Sequence, residues 1–303
     1  MIRPSSFSCK ANNRRRWKMK NKEMVATLAI LMLGWAGVTM GYAQDTLAKA
    51  KQTGKLTIGI ANDPPWAFVD AKGNVTGQAP DVLKAALAPL GITKVEAVVT
   101  EFGALIPALQ SGRFDVIASG LYITPVRCKQ VAFGNPDLRM GEGFLVLKGN
   151  PKSIHSFNDV AQKSNVILGA SRGSAEVQYA LDAGVPKDRL LLFPDEPSLL
   201  SALLAGRIDA VSLTAVTISK LLAASDKVER VEPFSQPVDA KGKAVSGYPG
   251  LAFRKEDSDL RDAYNVELKK LRESGKLLEI LKAYGYSDDE LPPAEVTAAE
   301  LCK

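Results

Sequence analysis

The 303-residue sequence predicts an α/β protein built from two similar domains. Three observations carry that prediction. The length exceeds one ordinary domain and suits two of roughly 100 to 150 residues each. Short β-branched or apolar runs alternate with segments of helical periodicity. The phrases SGRFDVIASG and AGRIDAVSLT also occupy equivalent places in the two halves, too far apart for a solenoid repeat.

In chain order, Lys55 to Ala61 (KLTIGIA) is a strand running into the loop Asn62-Asp63-Pro64-Pro65-Trp66. Pro80 to Leu90 is a helix: proline opens it, Val82, Leu83, Ala86, Leu87 and Leu90 repeat at helical spacing, and Gly91 stops it. Val95 to Val99 is the next strand. Thr100 to Pro136 then holds a short helix with Leu105, Ile106 and Leu109 on one face, a buried strand at Val116 to Ala118, a tight Ser119-Gly120 turn and a second short helix carrying Arg127. Gly143 to Leu147 follows, and the pattern restarts.

The second half gives strands at Val166 to Ala170, Leu190 to Phe193 and Ala210 to Leu213. Helices open at Gly173-Ser174-Ala175 and cover Ser198 to Ala205. Gly247 to Phe253 is a further strand. Asp259 to Tyr284 is a long helical segment broken near Gly275, and Leu291-Pro292-Pro293 ends ordered structure or begins a short tail. The expected domains are residues 44–140 plus 249–303 as one lobe and 141–248 as the other, joined by two hinge crossovers with a cleft between them.

Residues 1–43 read as a cleavable signal peptide. Arg3, Lys10, Arg14, Arg15, Arg16, Lys18, Lys20 and Lys22 precede an apolar run from Val25 to Val38, and Gly41-Tyr42-Ala43 offers a cleavage site. The run falls short of the roughly 20 residues of a spanning helix. This segment holds eight of the 39 Lys and Arg residues and one of the 33 acidic ones, leaving 31 against 32, a net charge near −1. No nucleic-acid or polybasic membrane patch remains. Cys9 leaves with the signal; Cys128 and Cys302 either pair in an oxidising compartment, or Cys128 is a small buried residue beside Arg127. His155 is the one histidine, so neither metal-ligand spacing nor a histidine-activated nucleophile is present. No metal and no cofactor are expected.

Open α/β sheets bind ligands at the carboxyl ends of their strands. The loop after Val116 to Ala118 presents Tyr122, Thr124 and Arg127 there, and a planar fork of donors suits a carboxylate. Ser174 and Ala175 lie where a helix begins, so their backbone N–H groups can serve the same anion; an ordinary N-cap is compatible with that role. Trp66, Phe102 and Tyr122 come from three strand ends, where each either fills core or faces a ligand. Asp63 is either a turn-capping residue before proline or a ligand's acidic partner.

LTIGIANDPPWAF, GALIPALQSGRFDVIASGLYITPVR, VAFGNP and GRIDAV together resemble the bacterial family 3 extracytoplasmic solute-binding proteins of ABC importers, over essentially all of the mature chain. The resemblance implies a bilobal type II periplasmic-binding-protein fold. It also implies a monomeric periplasmic receptor that traps a small zwitterionic solute and delivers it to an inner-membrane ABC permease. Within the family, the Thr100 to Pro136 stretch looks most like the ectoine and hydroxyectoine-binding branch. That branch implies an aromatic enclosure from Trp66, Phe102 and Tyr122, a carboxylate partner at Arg127 and an acidic partner at Asp63 for a cyclic amidinium. Aspartate and tryptophan stand at 63 and 66 where the branch usually has glutamate and Phe or Tyr. Family members that bind α-amino acids usually carry an aspartate where Thr214 stands, which disfavours a free α-ammonium. A polar or cationic amino acid or an opine is the alternative, with Ser174 or Arg172 meeting an extra carboxylate and Asp195 a rim contact. A further alternative changes class: a few proteins of this fold look like cyclohexadienyl dehydratases, for which Glu176 or Glu142 would be the acid by position alone. No recognisable acid-base pair supports an enzyme.

Overall fold

The computed structural model describes residues 45–238, 242 and 244–303; the expected signal peptide lies outside the described residues. Asp45 caps the first helix, α1 (Thr46–Thr53), by accepting from the N–H groups of Leu47 and Ala48. β1 (Lys55–Ile60) follows, then a small hairpin of β2 (Phe68–Val69) and β3 (Val75–Thr76), then α2 (Gln78–Leu87), which runs on as one 3₁₀ turn to Leu90. β4 (Lys94–Val99), α3 (Leu105–Gln110), β5 (Val116–Ile117), α4 (Pro125–Cys128) and β6 (Ala132–Phe133) complete the first run.

The second run is β7 (Glu142–Leu147), α5 (Phe157–Gln162), β8 (Leu168–Ser171), α6 (Ala175–Asp182), β9 (Leu190–Phe193), α7 (Glu196–Leu204), β10 (Ala210–Thr214), α8 (Ala215–Ala224) and β11 (Val228–Arg230). The chain then returns through β12 (Ala252–Phe253) to α9 (Ser258–Glu273), α10 (Lys276–Lys282) and α11 (Ala298–Leu301).

These elements make two five-stranded sheets. The first has the order β4-β1-β5-β12-β6 and the second β11-β7-β10-β8-β9. In the first, β1 runs parallel to β4 and β5, while β12, arriving from the far end of the sequence, is antiparallel to β5 and β6. In the second, β8 is parallel to β9 and β10, and β7 is antiparallel to β10 and β11. Parallel pairs need helical crossovers, which is why helices cover both sheets and their strands are apolar on both faces. In the first lobe, Leu56, Ile58 and Ile60 share a core with Val82, Leu83, Ala86 and Leu87 of α2 and Leu260, Tyr264, Leu277 and Leu281 of α9 and α10. Each fully buried aliphatic side chain there contributes about 1.5 to 3 kcal/mol.

Three expectations are corrected. Gly247 to Phe253 is not one strand: only Ala252–Phe253 joins the sheet, while Gly247 pairs with Met140 and Pro249 bridges Tyr122. The Tyr122 ring occupies the space beside Gly247, and Pro249 has no N–H to give a ladder. The Met140 and Gly247 backbones exchange hydrogen bonds of 2.8 and 2.7 Å, so the outgoing and returning crossovers lie side by side. The tail beyond Pro293 is ordered: Ala298 and Leu301 pack into the Leu105 and Phe133 cluster, and Cys302 is disulfide-bonded to Cys128. Finally, α8 stands where no element is expected. Thr214 caps it by accepting from the Thr217 N–H, and Ile218 and Leu221 face the core at helical spacing.

Candidate functional site

Between the sheets, the loops at the strand ends meet over a cleft. The Asp63 and Ala67 backbones exchange hydrogen bonds of 2.8 and 3.0 Å, closing the loop after β1 around Pro64-Pro65 and holding Trp66 inward. Gly120 turns the chain after β5 at φ +66°, and a methyl group there would lie 2.5 Å from the Trp66 ring. Trp66, 4 % exposed, donates its indole N–H to Thr217 Oγ1 at 3.1 Å, and Thr217 Oγ1 lies 2.9 Å from Thr214 Oγ1. A first-lobe aromatic is thereby tied to β10 and α8 of the second.

Arg127, 8 % exposed, donates from Nη1 to the Tyr122 carbonyl and from Nη2 to the Gly173 carbonyl, each at 2.8 Å. Its guanidinium carbon lies 5.8 Å from the centre of the Phe102 ring. Two donors are occupied and three remain for a ligand. Burial pushes the guanidinium's pKa down, and Glu176 opposes that shift.

The cleft wall includes Asp63, Trp66, Phe102, Tyr122, Arg127, Ser174, Ala175 and Thr214. Thr124 is not on it: its hydroxyl caps α4 by accepting the Arg127 N–H at 3.4 Å, so it positions the helix carrying the arginine. Ser174 also departs from expectation. Its N–H is spent on the Ser171 carbonyl at 3.1 Å, which leaves its buried hydroxyl as the group facing the cleft, together with that of Ser171. Ala175 and Glu176, the first residues of α6, retain N–H groups the helix itself does not satisfy.

The strand-end reasoning also missed part of the wall. Ser171, Pro194, Asp195, Glu196, Leu213 and Thr217 belong to it, all from the second lobe. Asp195, foreseen only as a rim contact, is the N-cap of α7 and accepts the Ser198 N–H at 2.8 Å. Thr217 was hidden because α8 was not anticipated; the Thr-x-x-Thr spacing at its start was the available signal.

Two acidic groupings stand at different places in the cleft. Glu176 faces Arg127, with Glu142, 1 % exposed, and the Tyr122 hydroxyl behind it. Burial foremost, then Glu176, holds the Glu142 carboxyl well above the usual range; burial and then Glu142 do the same to the Tyr122 phenol. In the other grouping, Asp63 of the first lobe meets Glu196 of the second, with Lys220 Nζ 3.4 Å from Asp63 Oδ1. Burial, and after it Glu196, raises the Asp63 pKa, while Lys220 lowers it. The cleft therefore offers an anion-binding group at Arg127 and the α6 start, an acidic group at Asp63, and aromatic side chains on the same wall.

Further contacts hold the lobes together beside the cleft. Arg172 pairs with Glu101 at 2.6 Å, and Gly173, at φ +78°, packs against Gly103, whose Cα would lie 2.8 Å from an added methyl.

Residues 56–287 match the bacterial extracellular solute-binding proteins, family 3. A probable amino-acid ABC transporter periplasmic-binding protein, y4tE, of Sinorhizobium fredii is 38 % identical over 260 residues, covering 85 % of this chain and 86 % of the relative. Among solved structures, EhuB in complex with hydroxyectoine is 40 % identical with a TM-score of 0.78, covering 86 % of this chain and 98 % of that one. The ancestral amino acid-binding protein AncCDT-1, a precursor of cyclohexadienyl dehydratase, is 31 % identical with a TM-score of 0.68, covering 79 % and 99 %.

Proposed function

The chain belongs to family 3 of the bacterial extracellular solute-binding proteins, and from that premise we propose that it is the periplasmic receptor of an ABC importer for an ectoine-like zwitterion. It is exported by a signal peptide at residues 1–43, encloses the solute between lobes 44–140 plus 249–303 and 141–248, and hands it to an inner-membrane permease. The observation that carries the ligand reading is the polarity of the cleft. Arg127 and Asp63, groups of opposite charge, share its wall with Trp66, Phe102 and Tyr122.

Arg127 takes the solute carboxylate in a bidentate pair, assisted by the Ser174 hydroxyl and the free N–H groups of Ala175 and Glu176. The aromatic rings cover a delocalised amidinium, each contributing about 0.5 to 2 kcal/mol, and Asp63 accepts from its N–H groups. The likeness to EhuB, solved with hydroxyectoine, supports this assignment.

A second reading, a cationic amino acid such as arginine, draws on Glu176. The missing acid at Thr214 argues against an α-ammonium, yet Glu176 places a carboxylate beside Arg127 from another element. Titration calorimetry of ligand-stripped protein with ectoine, hydroxyectoine, glycine betaine, amino acids and opines decides between the two. Tight binding of ectoines alone supports the first reading; binding of an amino acid or opine alone replaces it. The family's members are solute-binding proteins, and the receptor reading involves no catalysis; turnover of prephenate by the purified protein would reverse that.

A further inference from the structure

Resting on the reading that the interlobe cleft holds the solute, we propose that Glu196 is a specificity residue: with Asp63 it forms a cation subsite shared between the lobes, which Lys220 fills until a ligand's delocalised cation takes its place. Asp63 comes from the loop after β1 and Glu196 from the first turn of α7, and both face the cleft. Both carboxyl groups line the same cleft, one from each lobe, close enough for the Glu196 charge to act on Asp63.

Two carboxylates held together in a half-enclosed space repel, and the repulsion appears only when the lobes approach. A positive group between them converts that repulsion into attraction. Lys220, on α8, is the charge available to do so, but it serves poorly. Its ammonium is 3.4 Å from Asp63, a long ion pair, its side chain is 39 % exposed, and it approaches from outside the cleft wall. Two acids against one weakly engaged base leave an acidic surplus facing the ligand. Asp195, the neighbouring acid, does not share this role, because the Ser198 N–H already occupies it.

A planar, delocalised cation has donors on separate nitrogens and can address a carboxylate on each side at once, which a compact ammonium does less well. Closure is then favoured by solutes carrying such a cation and disfavoured by solutes neutral at that end. The subsite thus reads ligand charge and couples it to lobe approach, since one acid belongs to each lobe.

The test is calorimetry with hydroxyectoine and arginine as the two probes, on the unaltered protein, Glu196→Gln, Lys220→Met and Arg127→Ala, each first shown by thermal melting to be folded. For whichever probe the unaltered protein binds, Glu196→Gln lowers affinity about tenfold, as expected for loss of one charge-assisted partner. Lys220→Met raises it about threefold, the scale of an exposed ion pair. Unchanged affinity in folded Glu196→Gln, or weaker binding in Lys220→Met, overturns the proposal while leaving the ligand reading intact. Failure of the unaltered protein to bind either probe, or full affinity in Arg127→Ala, overturns the ligand reading and the subsite with it.

Discussion

Arg127 combines three tasks in one side chain: it braces its own loop through the Tyr122 carbonyl, reaches the second lobe at Gly173, and keeps three donors free for an anion. Only a planar fork can do all three. Arg127→Lys is therefore expected to weaken solute binding at least about 30-fold although the charge is retained, since the hydrogen bonds to charged partners that it forfeits are each worth about 1.5 to 3 kcal/mol; calorimetry reads the outcome. Gly120→Ala tests the opposite face of the site. With φ at +66° and the Trp66 ring 2.5 Å from the new methyl, the substitution costs roughly 1 to 3 kcal/mol of stability in urea melts and weakens binding by displacing the indole. At this scale, the legible residues were those at strand ends, where an arginine or tryptophan in a loop is chemically conspicuous. Glu196 was not, because an acid in the first turn of a helix reads equally well as a helix-start residue, and Thr217 was not, because the helix it stands on was not anticipated. Ser174 was found for a partly mistaken reason, since its N–H is already taken and its hydroxyl is the free group.

Among the elements, α4 shows how a four-residue helix becomes a rigid platform. Thr124 caps it, Arg127 projects from it, and Cys128 fastens it to α11 near the other end of the chain, 174 residues away in sequence. A loop of that length carries a large closure entropy in the unfolded chain, so the disulfide stabilises by roughly 2 to 5 kcal/mol. Reduction under native conditions should lower the urea midpoint by a corresponding amount and loosen solute binding through α4; equal midpoints for oxidised and reduced protein would remove the bond from the stability argument. Periodicity located most helices and strands to within two or three residues because their cores repeat at 3.6 or lie in unbroken apolar runs. It failed where the partner of a segment is distant. Gly247 to Phe253 has a strand's composition, but Tyr122 and the neighbouring crossover claim its first half. Two cysteines could not announce their pairing, since sequence separation says nothing of spatial proximity.

For the whole molecule, the contacts across the cleft divide into weak and demanding ones. The Arg172–Glu101 pair is half-exposed and worth under about 1 kcal/mol. The Gly103–Gly173 approach is demanding, because a Cβ at 173 would lie 2.8 Å from the Gly103 Cα and one at 103 would lie 3.1 Å from the Arg172 carbonyl oxygen, leaving no room for a branched side chain without displacement. Gly103→Val is expected to leave the melting temperature within a few degrees yet reduce affinity more than tenfold, with small-angle scattering showing an expanded molecule in saturating solute; a compact liganded form would refute it. The contribution of Asp137 to stability should fall with rising pH. This carboxyl is 1 % exposed beneath the returning crossover, and burial outweighs the facing Gln78 and Tyr264 groups to push its pKa up to about 7. The unfolded value is near 3.9, so the folded state binds the proton more tightly. That contribution is full below about pH 4, declines through about pH 7 and is level above, a loss on the order of 4 kcal/mol. Asp137→Asn should flatten that decline in urea melts at pH 5 and pH 8. One feature of the cleft also makes the receptor self-reporting. Trp17 and Trp35 both fall within residues 1–43, so in protein prepared from residue 44 onward Trp66 is the single tryptophan, and its indole N–H bonds across the cleft to Thr217. The unlabelled protein thus carries one fluorophore at the place where the lobes part, and its emission wavelength is an optical gauge of opening, readable in stopped flow without any added dye.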